Sequence, residues 1–130
     1  MLLVGKSKIQ GKGLFTDTAI RKRKKVGEFT GEMISVREAR KRAKNASRIA
    51  IVEISETKAI DAGVAGGGLF QYVNHSCDPN LYIRIAYGRV EFYTRKQVRA
   101  GDELTCDYED SHHEGRLPCG CKSPKCRKFI

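Results

Sequence analysis

Apolar and polar positions change rhythm several times along the 130 residues, and each change marks an element. Residues 1–15 open on Leu2-Leu3-Val4, which reads as a short strand, followed by a glycine loop at Gln10-Gly11-Lys12-Gly13. Lys25 to Ile34 reads as strand interrupted by Gly27 and Gly31. Ser35-Val36-Arg37-Glu38 then predicts a helix start: the serine oxygen takes an orphan N–H of the first turn, and the glutamate reaches back to the serine. Val36, Ala39, Ala43 and Ala46 form a narrow apolar stripe at helical spacing. Side chains this small predict light packing on a sheet, and Asn45 suits a helix stop.

Arg48 to Ile54 and Thr57 to Asp61 read as a hairpin turning near Glu56, and Gly63 to Gly68 as a flexible loop. Leu81, Ile83, Ile85 and Tyr87 alternate on one face. Gly88 turns the chain, and Arg89 to Thr94 returns as a second hairpin. Ala100-Gly101-Asp102 turns into a last strand, Glu103 to Tyr108. The tail from Glu109 to Ile130 has no period. The pattern predicts a mainly β chain of short strands with one short helix, no internal repeat and no linker.

One stretch fits neither rhythm. Asn74-His75-Ser76-Cys77-Asp78-Pro79-Asn80 sets six residue types, the amide twice, side by side after the apolar Leu69-Phe70-Gln71-Tyr72-Val73. A turn accounts for Asp78-Pro79-Asn80, because proline presets φ and Asx side chains bond their own backbone. It does not account for Asn74-His75.

Composition narrows the class. A chain of this length makes one domain with one core. No apolar run approaches the roughly 20 residues of a membrane span, and the start lacks the charged lead-in of a signal peptide. A soluble intracellular protein, with no membrane partner, is the expectation. The net charge of +10 favours acidic partners. Arg21-Lys22-Arg23-Lys24-Lys25 concentrates it, as a solvated loop or as a patch for nucleic acid. Five cysteines are present, Cys77, Cys106, Cys119, Cys121 and Cys126. Clustered thiols in a reducing compartment point to metal. Structural zinc takes four sulfur or imidazole donors. The C-x-C-x4-C tail supplies Cys119, Cys121 and Cys126, leaving the fourth to Cys77, Cys106, His112 or His113.

These stretches together resemble a SET-domain protein lysine methyltransferase with a post-SET zinc tail of the trithorax-like kind. Gln10-Gly11-Lys12-Gly13-Leu14-Phe15 resembles the family's first S-adenosylmethionine loop, Glu28-Phe29-Thr30-Gly31-Glu32 its "E-Y-x-G-E" strand, and Ile60-Asp61-Ala62 its "I-D-A". Asn74 to Asn80 matches "N-H-S-C-x-P-N", and Gly101 to Tyr108 resembles "G-E-E-L-T-Y-D-Y". Leu117-Pro118-Cys119-Gly120-Cys121 to Phe129 is similar to the post-SET end. The matches stand in family order and span nearly the whole chain, as a SET domain over residues 1–110 and a post-SET zinc segment over 111–130.

The resemblance implies a fold of small curled sheets in which the C-terminal strand threads beneath a loop as a pseudoknot. It implies methyl transfer from S-adenosylmethionine to a lysine of a basic protein, most naturally a histone tail. Tyr108 would be catalytic. Gln10, Lys12, Gly13, Asn74, His75 and Gly120 would surround the cofactor, Tyr72 and Cys106 would line the lysine channel, and Cys77, Cys119, Cys121 and Cys126 would hold one zinc. A eukaryotic member would work in the nucleus or on chromatin, a bacterial or viral one in the cytoplasm or inside a host. Three positions depart from the pattern. Cys106 stands where the family has Phe or Tyr, no tyrosine occurs near Ala50 on the strand before "I-D-A", and Gln71 stands where Arg is common. The missing tyrosine leaves one alternative, a catalytically weak, zinc-stabilised binding module; the charge of +10 and the run Arg21 to Lys25 leave another, a basic nucleic-acid-binding domain.

Overall fold

The structure, a computed structural model, describes residues 1–45, 50–64, 66–107, 124 and 126. Among these residues, ten short strands make three small sheets, accompanied by one α-helix and one 3-10 turn. β1 (Leu2–Lys6) and β2 (Lys12–Thr16) form a hairpin, so the glycine loop joins two strands rather than ending one. The strand expected over Lys25–Ile34 is two: β3 (Lys25–Phe29) and β4 (Glu32–Ser35) belong to different sheets. The break falls at Gly31, where any Cβ would meet the Asp61 carbonyl oxygen at 2.2 Å. Only glycine lets the backbones come this close.

Helix α1 (Val36–Asn45) begins as its cap predicts, with the Glu38 N–H donating to Ser35 Oγ at 3.1 Å. The second half of the expected capping box does not form. Glu38 instead accepts from Arg42 one turn on, and Arg42 also reaches Glu32 on β4 and Asp61 on β6 (Lys58–Asp61). Arg42 thus ties the helix to the sheet β4-β6-β5, in which β5 is Ile51–Glu53. The helix buries only Val36 and Ala39, as its small stripe predicts; Ala46 lies outside the described residues. The hairpin turn near Glu56 is present, held by Ser55 Oγ, which accepts from the Lys58 N–H at 3.0 Å.

A 3-10 turn (Leu69–Tyr72) leads to β7 (Asn74–His75). β8 (Leu81–Ala86) and β9 (Arg89–Thr94) form the second predicted hairpin. Tyr87 is not on the strand face. It takes the turn with Gly88, both at positive φ (53° and 72°), the conformation a two-residue hairpin loop requires. β3 joins β9 to complete the sheet β3-β9-β8.

The last described strand, β10 (Glu103–Cys106), lies between β2, antiparallel, and β7, parallel. Both of its edges are therefore occupied, as the threaded C-terminal strand demands. Leu14 on β2, Leu81 on β8, Val90 and Phe92 on β9, and Leu104 on β10 are almost fully buried, so one core joins two sheets. Phe70 stacks on Phe92 at 4.9 Å and fills the space Gly27 leaves open. Burying a side chain of this size contributes about 1.5–3 kcal/mol. Among the described residues, no helix is long and apolar enough to cross a membrane.

Candidate functional site

The stretch 74–80 sits against β10, and the side chains of Asn74, Ser76 and Asn80 hold backbone. Asn80 is the clip. Its Nδ2 donates to the Glu103 carbonyl oxygen at 2.8 Å, and its Oδ1 accepts from the Thr105 N–H at 2.9 Å. The side chain thus mimics a strand neighbour where β7 has ended. Ser76 contributes twice: its N–H donates to the Cys106 carbonyl oxygen at 3.0 Å, and its hydroxyl accepts from the Asp78 N–H at 3.1 Å. Arg95 secures the turn from outside, its guanidinium on the Pro79 carbonyl oxygen at 3.1 Å and its N–H on that of Asn80 at 2.8 Å.

Asn74 reaches the other way. Its Nδ2 lies 3.1 Å from the Gln10 carbonyl oxygen, 3.0 Å from that of Lys12 and 2.9 Å from Glu103 Oε2. One amide therefore gathers the glycine loop, β7 and β10. Glu103 completes the junction. Its carboxylate accepts from Ser7 Oγ at 2.8 Å and stands over Gly13, where a Cβ would meet it at 2.5 Å. A side chain at Gly13 would have to displace that carboxylate, whereas Gly11, at φ +49°, has nothing within 4 Å of its Cβ position. The loop is open to solvent at Gly11, and one amide fixes the two carbonyl oxygens that flank it.

His75 is buried, its ring between a sulfur and a carboxylate: Nε2 is 3.3 Å from Cys77 Sγ, and Nδ1 is 3.6 Å from Asp107 Oδ1. An imidazole nitrogen beside a cysteine sulfur stands where support for a metal-bound sulfur would come from. Cys77 is half-buried at the outer end of this run, and its chemistry suits zinc. Cys106 does not. It is buried in β10, and burial, helped by the Asp107 charge, pushes its thiol up to about 12. A thiol held neutral is a small apolar side chain rather than a ligand. Of the fourth donors the spacing leaves open, Cys77 is therefore favoured over Cys106.

The predicted residues Gln10, Lys12, Gly13, Asn74 and His75 come together, and Cys106 joins them as the β-ladder partner of His75. Tyr72 is half-buried in the 3-10 turn and packs on the core cluster that includes Cys106. Ala50 is buried in that cluster, its carbonyl oxygen accepting from the Ala62 N–H at 2.8 Å. Cys126 is half-buried, and among the described residues no three metal-ligating side chains cluster. Tyr108, His112, His113, Cys119, Gly120 and Cys121 lie outside the described residues. Arg21 to Lys25 form a separate face. Glu103 and the clip role of Asn80 were not anticipated; the signal for Glu103 was its place at the head of the last strand, facing a glycine.

The family described as "SET domain" matches residues 11–109. The chain is 34% identical over 140 residues to the histone-lysine N-methyltransferase trr of Drosophila melanogaster, covering 98% of this chain and 6% of that protein. It is 34% identical over 135 residues to the H3 lysine-4 specific histone-lysine N-methyltransferase of Schizosaccharomyces pombe, covering 97% of this chain and 15% of the relative. A chain in the crystal structure of an active polycomb repressive complex 2 in the basal state superposes with a TM-score of 0.77 at 32% identity, covering 85% of this chain and 15% of that one. The chain thus spans at most 15% of the length of these relatives.

Proposed function

Since the chain belongs to the SET-domain family, we propose that it is a protein-lysine N-methyltransferase, using S-adenosylmethionine and acting on a lysine of a basic, histone-type tail. One observation carries the reading. The Asn74 amide closes on Gln10 and Lys12 while β7 pairs with β10, so the cofactor loop, the stretch 74–80 and the strand leading to Tyr108 share one junction. When bound, the cofactor supplies a methyl group on a sulfonium, open to in-line displacement by an amine.

No nucleophilic side chain is then needed, and the inert Cys106 is consistent with that. The protein's part is to hold the lysine amine neutral, in line and away from water. A narrow dry channel disfavours the ammonium form. In this reading Gln10, Lys12, Gly13, Asn74, His75 and Gly120 hold the cofactor, Tyr108 orients the amine, and Tyr72 and Cys106 line the channel. Cys106 leaves more room than Phe or Tyr would, so the enzyme makes di- or trimethyl-lysine. Cys77, Cys119, Cys121 and Cys126 bind zinc and hold the post-SET segment against the site. The work is done on chromatin or on a basic host protein. The buried Ala50, where the family carries a tyrosine, favours a second reading in which turnover is slow and the domain chiefly binds.

Labelled-methyl transfer to histones and to basic peptides tests the proposal. Transfer to lysine, lost in Tyr108→Phe, is expected; transfer that survives this change overturns the catalytic assignment. A product that stops at monomethyl-lysine overturns the reading of Cys106. Metal analysis giving no zinc, or zinc retained in Cys77→Ala, overturns the ligand set.

A further inference from the structure

The run Arg21 to Lys25 takes no part in the junction, and the fold gives it a neighbour the sequence does not reveal. An isolated antiparallel bridge between Ile20 and Val98 lays the run beside the segment after β9. The exposed cations Arg21, Lys22, Arg23 and Lys24 thereby meet Arg95 and Lys96.

This is not a loose solvated loop. Thr94, fully buried, holds it by four hydrogen bonds: its hydroxyl donates to the Arg21 carbonyl oxygen at 2.6 Å and accepts from the Lys24 N–H at 2.8 Å, its carbonyl oxygen accepts from the Arg23 N–H at 2.9 Å, and its N–H donates to the Lys24 carbonyl oxygen at 2.9 Å. Arg23 is held at φ 64°, a conformation non-glycine residues adopt at a cost. The backbone is fixed while the charged ends stay in water. Lys25 differs from its neighbours in being paired with Glu28 and Glu91. Arg95 and Lys96 both face Asp78, at 3.9 Å and 3.7 Å, and no ion pair is formed by residues 21–24 among the described residues. Like charges gathered at fixed positions repel, and a polyanion relieves that repulsion.

A groove of about 370 Å³ borders the run, lined in part by Arg21, Lys24, Lys25 and Thr18. The second basic surface, helix α1, borders a larger groove of about 980 Å³ and presents Arg37, Lys41 and Lys44 beside cations that are paired. Its Arg40 pairs with Glu53, and its Arg42 with Glu32, Glu38 and Asp61.

We propose that the face made by residues 21–24 and 95–96 binds the phosphate backbone of duplex nucleic acid. No aromatic side chain lies within either segment, and Tyr93 beside them is already stacked on Tyr82, so the cations are not interleaved with aromatics as a single strand requires. Fixed cations at the rim of a groove suit phosphates spaced along a duplex. A further argument rests on the proposed substrate: cations repel a basic tail, so this face serves another ligand. The binding measurement below needs no methyl transfer and stands or falls separately from that reading.

The test is fluorescence anisotropy of the full chain with a labelled duplex of about 20 base pairs, across a salt series, with folding of each variant checked by circular dichroism. Roughly four phosphate contacts predict a dissociation constant that rises about 100-fold between about 50 and about 200 mM salt. R21Q/K22Q/K24Q should weaken binding by at least about 10-fold and flatten the salt slope by about 2 to 3. R37Q/K41Q/K44Q, which removes the same charge from α1, should weaken it several-fold less. Equal losses in the two variants would reduce the effect to net charge and overturn the proposal. So would a single strand of equal length binding as tightly as the duplex, or polyglutamate displacing the duplex at equal charge.

Discussion

Two polar runs, 74–80 and 21–24, are equally conspicuous in the sequence, and the fold uses them in opposite ways. In the first the side chains hold the backbone: Asn74 gathers a loop, Asn80 clips a strand and Ser76 closes a turn. In the second the backbone is held by another residue, Thr94, and the side chains are left to solvent. The difference separates a run that builds a site from a run that presents one. Substitutions in the first should cost stability; substitutions in the second should cost only binding.

The largest effect is expected at Asn80. Asn80→Ala leaves the Glu103 carbonyl oxygen and the Thr105 N–H of β10 without their partner, at about 1–3 kcal/mol for each buried group. A loss of about 3 kcal/mol in urea unfolding is expected, and a loss near zero would break the comparison from that side. Asn74→Ala should cost about 1–2 kcal/mol by the same physics. It should also weaken S-adenosylmethionine binding measured by calorimetry, because the Gln10 and Lys12 carbonyl oxygens lose their common donor.

Thr94→Val sharpens the contrast. It removes the hydroxyl from a fully buried residue with little change of shape, and should cost about 1–2 kcal/mol. Nucleic-acid affinity should fall with it although no charge has changed. Unaltered affinity would show that the rigidity of the run is irrelevant to binding.

A smaller effect is expected at Lys25 and Glu91, whose carboxylate and ammonium meet at 2.8 Å. The hydrogen bond from Lys25 holds the Glu91 carboxyl below its ordinary 4.5. Its contribution to stability is therefore present above that value and lost as the pH falls through the lowered one. Lys25 is raised above its ordinary 10.5 by its hydrogen bonds to Glu28 and then Glu91, so its contribution is present below 10.5 and lost in strong alkali. Glu91→Gln should flatten the acid limb of a stability–pH profile, and a wild-type limb that Glu91→Gln leaves unchanged would contradict this. The smallest change in stability, within about 0.5 kcal/mol, is expected for R21Q/K22Q/K24Q.

The site was legible in the sequence where function depends on residue identity at short spacing. Asn74-His75 stood out because polar groups follow an apolar run, and both reach the junction. The helix was legible from Ser35, but not the fate of Glu38, because Arg42 competes for it through contacts with β4 and β6. The split between β3 and β4 was hidden because Gly31 reads as an interruption, while the cause is the Asp61 backbone pressed against it. The threading of β10 and the meeting of residues 21–24 with 95–96 were not legible, since both depend on pairings between segments more than 20 residues apart. Local pattern carries no record of such pairings.

The central claim is that the junction around Asn74 builds a site for methyl transfer to lysine. It is tested most directly by mass spectrometry of a lysine-bearing basic peptide incubated with the purified chain and S-adenosylmethionine. Product masses rising by two or three methyl groups on one lysine, with Asn74→Ala reducing the yield while the protein remains folded, is the predicted result. An unmodified peptide from a folded chain that binds S-adenosylmethionine and zinc would contradict it.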